Sequence, residues 1–252
     1  MNFGVIGGTG FYTLTKGEEA VEVPTAYGPV RVNRTAIGGA EVAFIARHGV
    51  GHGVPPHRVN YRGNIAALKQ LGITSIIASA SVGTMSDAMP PGSLVIITQF
   101  LDFTKSRAST FYDGDGGKVV HTDMTDPYCL GLRRELSWAG AALGEAVLDR
   151  GTYVCAEGPR FETAAEIEMF RRVGGDIVGM TNVPEVVLAR EAGICYAAVA
   201  AVTNWAAGIA PEPLKHEEVS GFMETQTPRL RALFEHVIAH HEEADCTCRR
   251  RG

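Results

Sequence analysis

No stretch of this 252-residue chain approaches the roughly 18 consecutive apolar residues that a membrane span needs, which argues against a helical membrane protein. The start lacks a basic segment followed by an apolar stretch and a cleavage site. No secretory signal is therefore expected, and the cytoplasm is the default location. Positive charge is scarce: 23 Lys and Arg against 28 Asp and Glu leave a formal charge of -5, which speaks against a nucleic-acid surface. The Arg249-Arg250-Arg251 run is too short to reverse that. There is no internal repeat, low-complexity segment or linker. The five cysteines, Cys129, Cys155, Cys195, Cys246 and Cys248, fall at no metal-ligand spacing, so no metal is expected; three sit in apolar contexts that suit buried free thiols. Cys246-Thr247-Cys248 reads as two incidental thiols on a frayed tail, with a redox or transient metal pair as the alternative.

What is present suits a soluble enzyme: 45% hydrophobic residues and 30 glycines. The length fits one α/β domain over residues 1–240 with a C-terminal tail over 241–252. Apolar, β-rich runs recur at 3–6, 42–46, 75–80, 94–98, 152–156, 176–180 and 195–203, several without alternation, as expected of strands buried on both faces. Helical spacing lies between them: Tyr61, Ile65, Leu68 and Leu71 form one stripe, 162–173 another, and 184–192 opens on a tolerated proline. A last helix is expected over 217–240, interrupted or kinked near Pro228. Residues 113–117, rich in Gly and Asp, read as an exposed loop tip. The alternation predicts a single-domain α/β fold with a central mixed, largely parallel sheet flanked by helices.

The first strand breaks into Gly7-Gly8-Thr9-Gly10. This is not a dinucleotide fingerprint, because no third glycine stands where the helix would pack, and not a P-loop, because no Gly-Lys-Ser/Thr closes it. It is a small turn that either holds one phosphate or simply ends a strand. Polar residues gather at the ends of the buried runs, where open α/β sheets hold ligands. Arg47 and His48 follow the 42–46 run, and guanidinium with imidazole suits an oxyanion. Three further segments follow strands: 158–163 with Phe161 and Glu162, 179–185 with Met180 and Thr181, and 202–208 with Asn204 and Ala206. An aromatic face, a carboxylate, a thioether, a hydroxyl and a carboxamide together suit a flat ring with polar edges.

The runs 4–10, Ala46-Arg47-His48-Gly49, Val59-Asn60-Tyr61-Arg62, Glu157-Gly158-Pro159-Arg160-Phe161, Gly179-Met180-Thr181-Asn182-Val183-Pro184-Glu185 and Val187-Leu188-Ala189-Arg190-Glu191 resemble the trimeric purine nucleoside and methylthioadenosine phosphorylases. The resemblance extends to about residue 219. It implies a nucleoside phosphorylase-like fold, a cytoplasmic homotrimer, a purine nucleoside and inorganic phosphate as substrates, and no cofactor, nucleic acid or membrane. It also implies phosphate contacts from Thr9, Arg47, His48, the backbone at Ala80 and Ser81, and Thr181. Met180 would lie under the ribose, Phe161 would face the base, and Glu162 and Asn204 would read its edge beside Ala206. His121 would serve a neighbouring protomer's ribose pocket, and His216 would meet a 5'-hydroxyl. Asn204, Glu162, Arg47 and His48 are the implied catalytic set. One departure stands at Ser79-Ala80, where the methylthioadenosine branch carries two threonines; backbone donation alone is expected at Ala80.

Hydrogen-bond inventories indicate the base. A 6-oxopurine offers N1-H and an acceptor at O6, whereas adenine offers a lone pair at N1 and donors at C6. An ionised Glu162 accepts only, and Asn204 can both donate to O6 and accept a proton shared with N7, so both favour hypoxanthine or guanine. The reaction expected is phosphate-dependent cleavage of inosine or guanosine to free base and ribose 1-phosphate. The alternative is phosphorolysis of 5'-methylthioinosine or 5'-methylthioadenosine.

Overall fold

The computed structural model describes residues 2–8, 20–37, 39–114, 117–210, 216–242 and 246–249; the side chains of residues 50, 216–220 and 249 lie outside that description. In chain order the elements are β1 (Phe3–Gly7), β2 (Ala20–Val23), β3 (Val30–Ile37), β4 (Ala40–Ala46), α1 (Tyr61–Gln70), β5 (Ser75–Thr84), β6 (Leu94–Ile96), β7 (Gln99–Phe103), α2 (Leu130–Leu143), β8 (Val147–Leu148), β9 (Thr152–Ala156), α3 (Ala164–Arg172), β10 (Ile177–Gly179), α4 (Asn182–Glu191), β11 (Cys195–Trp205) and α5 (His216–His240). The strands form one mixed, mostly parallel sheet in the order β2-β3-β4-β1-β5-β10-β9-β7, and β11, followed by β6 and β8, lies along the other edge of β5. The α/β fold is as the sequence predicts.

The sheet is sandwiched. On one face α1 and α4 bury Ile65, Leu68, Val186 and Leu188; on the other, α2 and α5 bury Leu132, Leu136, Leu230 and Phe234. The inner strands β5 and β11 are rich in Ala, Ser and Val, which lets helices cover both faces closely. Next to the edge strand β2, β3 alternates buried and exposed side chains, a pattern that a search for apolar runs passes over. Among the described residues no helix is long and apolar enough to cross a membrane.

The feature that positions the site is a fork. One edge of β5 pairs in parallel with β1 from Ser75 to Ala78, then antiparallel with β10 at Gly83 and Thr84. Among the described residues, 79–82 have no strand neighbour on that edge, while the opposite edge stays paired to β11 throughout. The diverging strands leave a cleft floored by β5 backbone.

Two expectations need correction. The long helix α5 is not interrupted at Pro228, which lies inside a continuous His216–His240 helix; of the interruption or kink expected there, only the interruption is corrected. A prolyl nitrogen cannot donate, but buried Met223, Leu230, Leu233 and Phe234 hold both halves to the core, and the Thr227 hydroxyl donates to the Met223 carbonyl at 2.8 Å. The C-terminal turn Thr247–Arg249 is not frayed: Cys248 is buried and Cys246 packs against the same core cluster.

Candidate active site

At the anion end, the Gly8 N–H donates to Ser79 Oγ at 3.0 Å and fastens the end of β1 across the fork. A Cβ on Gly8 would lie 3.0 Å from both Arg47 Nη1 and the Ser79 carbonyl oxygen, so any larger residue would have to push one of them back by a few tenths of an ångström. Arg47 leaves β4 with its side chain fully buried. Its Nε and Nη2 donate to the two carboxylate oxygens of Glu185, both at 2.7 Å, and its Nη1 donates to the Ser79 carbonyl at 2.8 Å. Among the described residues three of the five guanidinium N–H groups are taken and two remain. Burial alone would lower the Arg47 pKa, but the charge and hydrogen bonds of Glu185 reverse this and raise it. Glu185 also accepts from the Tyr196 hydroxyl at 2.6 Å, and Asn182 Nδ2 donates to Tyr196 at 3.3 Å, so the ion pair rests on a buried polar network.

His48 is held by a 2.8 Å contact between Nδ1 and the Val54 carbonyl; a carbonyl only accepts, so Nδ1 carries the proton. Burial, then the neighbouring Arg47 charge, push its pKa down to about 4. Near neutral pH the ring is uncharged and Nε2 offers a lone pair, suited to the P–OH of a monohydrogen phosphate dianion. Because the folded-state pKa lies below the unfolded value of 6.5, this group's stabilisation is complete above that value and is lost as the pH falls through about 4. The stability advantage of the native protein over a His48→Asn variant should therefore shrink between pH 7 and pH 4.5. Urea midpoints at the two pH values measure it; an advantage that does not change with pH would contradict the neutral ring.

Ser81 Oγ is buried and unpartnered. Thr181, buried at the start of α4, makes no side-chain cap to its own helix, and its N–H donates to Tyr153 Oη at 3.1 Å. At the other end, the Thr163 hydroxyl and Glu166 carboxylate form a capping box, so α3 starts at Ala164 and Glu162 stays outside it. Glu162 Oε1 is buried without a partner, and burial raises the carboxyl pKa, with the Glu166 charge adding to it. Asn204 Oδ1 accepts from Thr203 Oγ1 at 2.7 Å and Nδ2 donates to the Trp205 carbonyl at 2.9 Å, leaving one lone pair and one N–H. Gly158, at φ 66°, carries the loop over Met180; a Cβ there would lie 2.6 Å from the Met180 sulfur. Phe161 stands 38% exposed at the rim.

These side chains line one cavity of about 420 Å³, within the usual range for small-ligand sites. Arg47, His48, Ala80, Ser81, Phe161, Glu162, Met180, Thr181, Asn204 and Ala206 all border it. His121 is exposed and does not. Thr9 and the His216 side chain lie outside the described residues. Sequence reasoning missed the Ser81 hydroxyl and the structural importance of Glu185, whose signal is a lone carboxylate within Val183-Pro184-Glu185-Val186-Val187-Leu188. It also missed Arg107, whose buried guanidinium donates to the Val183 and Glu157 carbonyls, both at 2.7 Å, and so ties the start of α4 to the end of β9.

A sequence model of the phosphorylase superfamily matches residues 2–239. The chain belongs to the phosphorylase superfamily. This phosphorylase is 50% identical over 252 residues to a Dictyoglomus turgidum protein named "Probable 6-oxopurine nucleoside phosphorylase", covering 99% of this chain and 95% of the relative. It is also 50% identical over 247 residues to a Methanopyrus kandleri protein named "Probable S-methyl-5'-thioinosine phosphorylase", covering 97% and 95%. Among solved structures, methylthioadenosine phosphorylase from Schistosoma mansoni in complex with adenine is similar at a TM-score of 0.90 and 33% identity, covering 95% of this chain and 91% of that one.

Proposed function

We propose that this phosphorylase catalyses reversible phosphorolysis of 6-oxopurine nucleosides such as inosine and guanosine. The observation that carries the reading is the buried, unpartnered Glu162 oxygen, set in the same cavity as Asn204 and the Arg47–His48 anion end. The two free N–H groups of Arg47, His48 Nε2, the backbone at Ala80 and Ser81, the Ser81 hydroxyl and Thr181 place a phosphate dianion below the anomeric carbon. A phosphate oxygen bonds to C1' as the C1'–N9 bond breaks, and its electron pair passes to the purine. The phosphate charge stabilises the oxocarbenium-like ribosyl group, and proximity supplies much of the acceleration. Glu162 accepts from N1-H; Asn204 donates to O6, and as the departing purine anion takes up a proton from solvent water at N7, Asn204 Oδ1 accepts the hydrogen bond from N7-H. The scheme draws on no cofactor besides the phosphate co-substrate.

Inosine incubated with the protein should release hypoxanthine only when phosphate is present. Equal release in phosphate-free buffer would make the protein a hydrolase. Exposed His121, away from its own cavity, is suited to complete a neighbour's pocket in a homotrimer; a species of single-chain mass with full activity would remove that part. The Methanopyrus kandleri relative favours a second reading, 5'-methylthioinosine, which shares the base and differs at the 5' end. The relative kcat/KM of inosine and methylthioinosine decides between them.

A further inference from the structure

Four of the five cysteines, far apart in sequence, meet at the end of the sheet remote from the cavity. Cys129 stands at the N-cap of α2, with its N–H on the Tyr196 carbonyl; Cys195 opens β11; Cys246 and Cys248 flank Thr247 in the C-terminal turn. All four Sγ atoms lie within 4.8 Å of one another, with Cys129 to Cys246 at 3.5 Å and Cys246 to Cys248 at 3.2 Å. Cys129, Cys195 and Cys248 are buried and Cys246 is half-buried. Cys155 stands apart, its thiol against the Val183 carbonyl at 3.4 Å.

We propose that Cys129, Cys195, Cys246 and Cys248 form a tetrathiolate site for a zinc ion, which fastens the C-terminal turn to the starts of α2 and β11. Four thiolates around zinc at about 2.3 Å define a tetrahedron with sulfur–sulfur edges of about 3.8 Å; two of the observed separations are 3.2 and 3.5 Å, and none exceeds 4.8 Å. Two adjacent disulfides would also gather four sulfurs, but all four thiols are free in this structure. Here Cys246 touches two partners, and each sulfur lies within reach of the other three, which is the arrangement a single shared centre requires. Binding one Zn²⁺ displaces four thiol protons and leaves a centre of charge -2; no electron is transferred. Arg133, one turn beyond Cys129, has a buried and unpartnered Nε, placing a cation on the same helix start. The strand β11 separates this cluster from Asn204 by nine residues, about 30 Å of extended chain, so the role is structural.

The test is titration of the full-length, reduced, metal-free chain with Co²⁺ under anaerobic conditions, alongside metal analysis of protein purified without chelator. One equivalent of Co²⁺ should saturate the chain, with the thiolate charge-transfer and intense tetrahedral ligand-field absorption of a four-sulfur centre. Zn²⁺ should displace it, and four of the five thiols should resist alkylation while metal is bound. Cys248→Ser should lose that spectrum while phosphorolysis at low temperature persists. No cobalt spectrum with all five thiols reactive overturns the proposal. So does a chain whose mass under non-reducing anaerobic conditions shows disulfides among these four cysteines. If Cys248→Ser fails to fold, the native chain's cobalt spectrum and thiol protection decide alone.

Discussion

Replacing Glu185 with Gln should lower the thermal midpoint by roughly 10 °C and kcat by about a hundredfold, without Glu185 touching any substrate. The stability term follows from burial. Both partners of the Arg47–Glu185 pair have fully buried side chains, and removing one charge from such a pair strands the other, at a cost of about 3 to 5 kcal/mol. Each kcal/mol shifts the midpoint of a domain this size by about 2 to 4 °C. Gln also turns one of the two accepting oxygens into a donor, and it then opposes an Arg47 N–H. The rate term follows from position: Glu185 holds the guanidinium of Arg47, a residue that borders the cavity, through Nε and Nη2, and a misplacement of about 1 Å can cost a factor of about 10². Glu185 is a positioning residue, so the readout is a split between kcat and the KM for phosphate, with kcat falling more. Added phosphate should raise the variant's midpoint more than the native protein's, because the dianion supplies Arg47 with the missing anion. Glu185→Asp keeps the charge and should recover part of both losses. A Gln variant with native midpoint and native kcat would show that the carboxylate does not hold Arg47.

The second large effect concerns the base. In the pair Glu162→Ser with Asn204→Asp, inosine use should fall and adenosine use should rise. Serine removes a carboxylate that would face the bare N1 of adenine, and a protonated aspartate can donate to N7 while accepting from the 6-amino group. A site built around a specific hydrogen bond rejects the unmatched analogue by factors on the order of 10⁴, so even partial conversion is measurable as a ratio of specificity constants. The unpartnered Glu162 oxygen sharpens this expectation, because the native protein already carries the cost of a buried acceptor that only a donor such as N1-H relieves. A native protein that cleaves adenosine as well as inosine would contradict the roles given to Glu162 and Asn204.

Legibility in the sequence followed the physics of each feature. The inner strands could be read because burial on both faces makes β5 and β11 continuous apolar runs, and strand ends then mark where Arg47, His48, Thr181 and Asn204 stand. The outer strands, β2 at the edge and β3 beside it, alternate or carry charge and left no such trace. Glu185 lies 138 residues from Arg47, and only the fold brings them together. The cysteine cluster was hidden for the same reason: ligand-spacing rules detect local pairs, whereas Cys129 and Cys246 are 117 residues apart. The helix expected to start at 162 is started instead at Ala164, two residues later, by the Thr163–Glu166 capping box, which leaves Glu162 outside the helix at the cavity.

The fork in the sheet divides the labour between two kinds of atoms. At the anion end, much of the cradle is main chain: the unpaired edge of residues 79–82, and a Ser79 carbonyl that aims a guanidinium. Main-chain atoms survive most substitutions, so this half is buffered against drift. At the base end proposed here, the cavity is bordered by side chains instead: Phe161 and Glu162 from the segment after β9, and Asn204 near the end of β11. Phe161 and Glu162, outside the strands, can change one at a time without disturbing the sheet. A scaffold so divided can change which nucleoside it accepts in few mutational steps while its phosphate chemistry persists, and its selectivity is the more evolvable of its two halves.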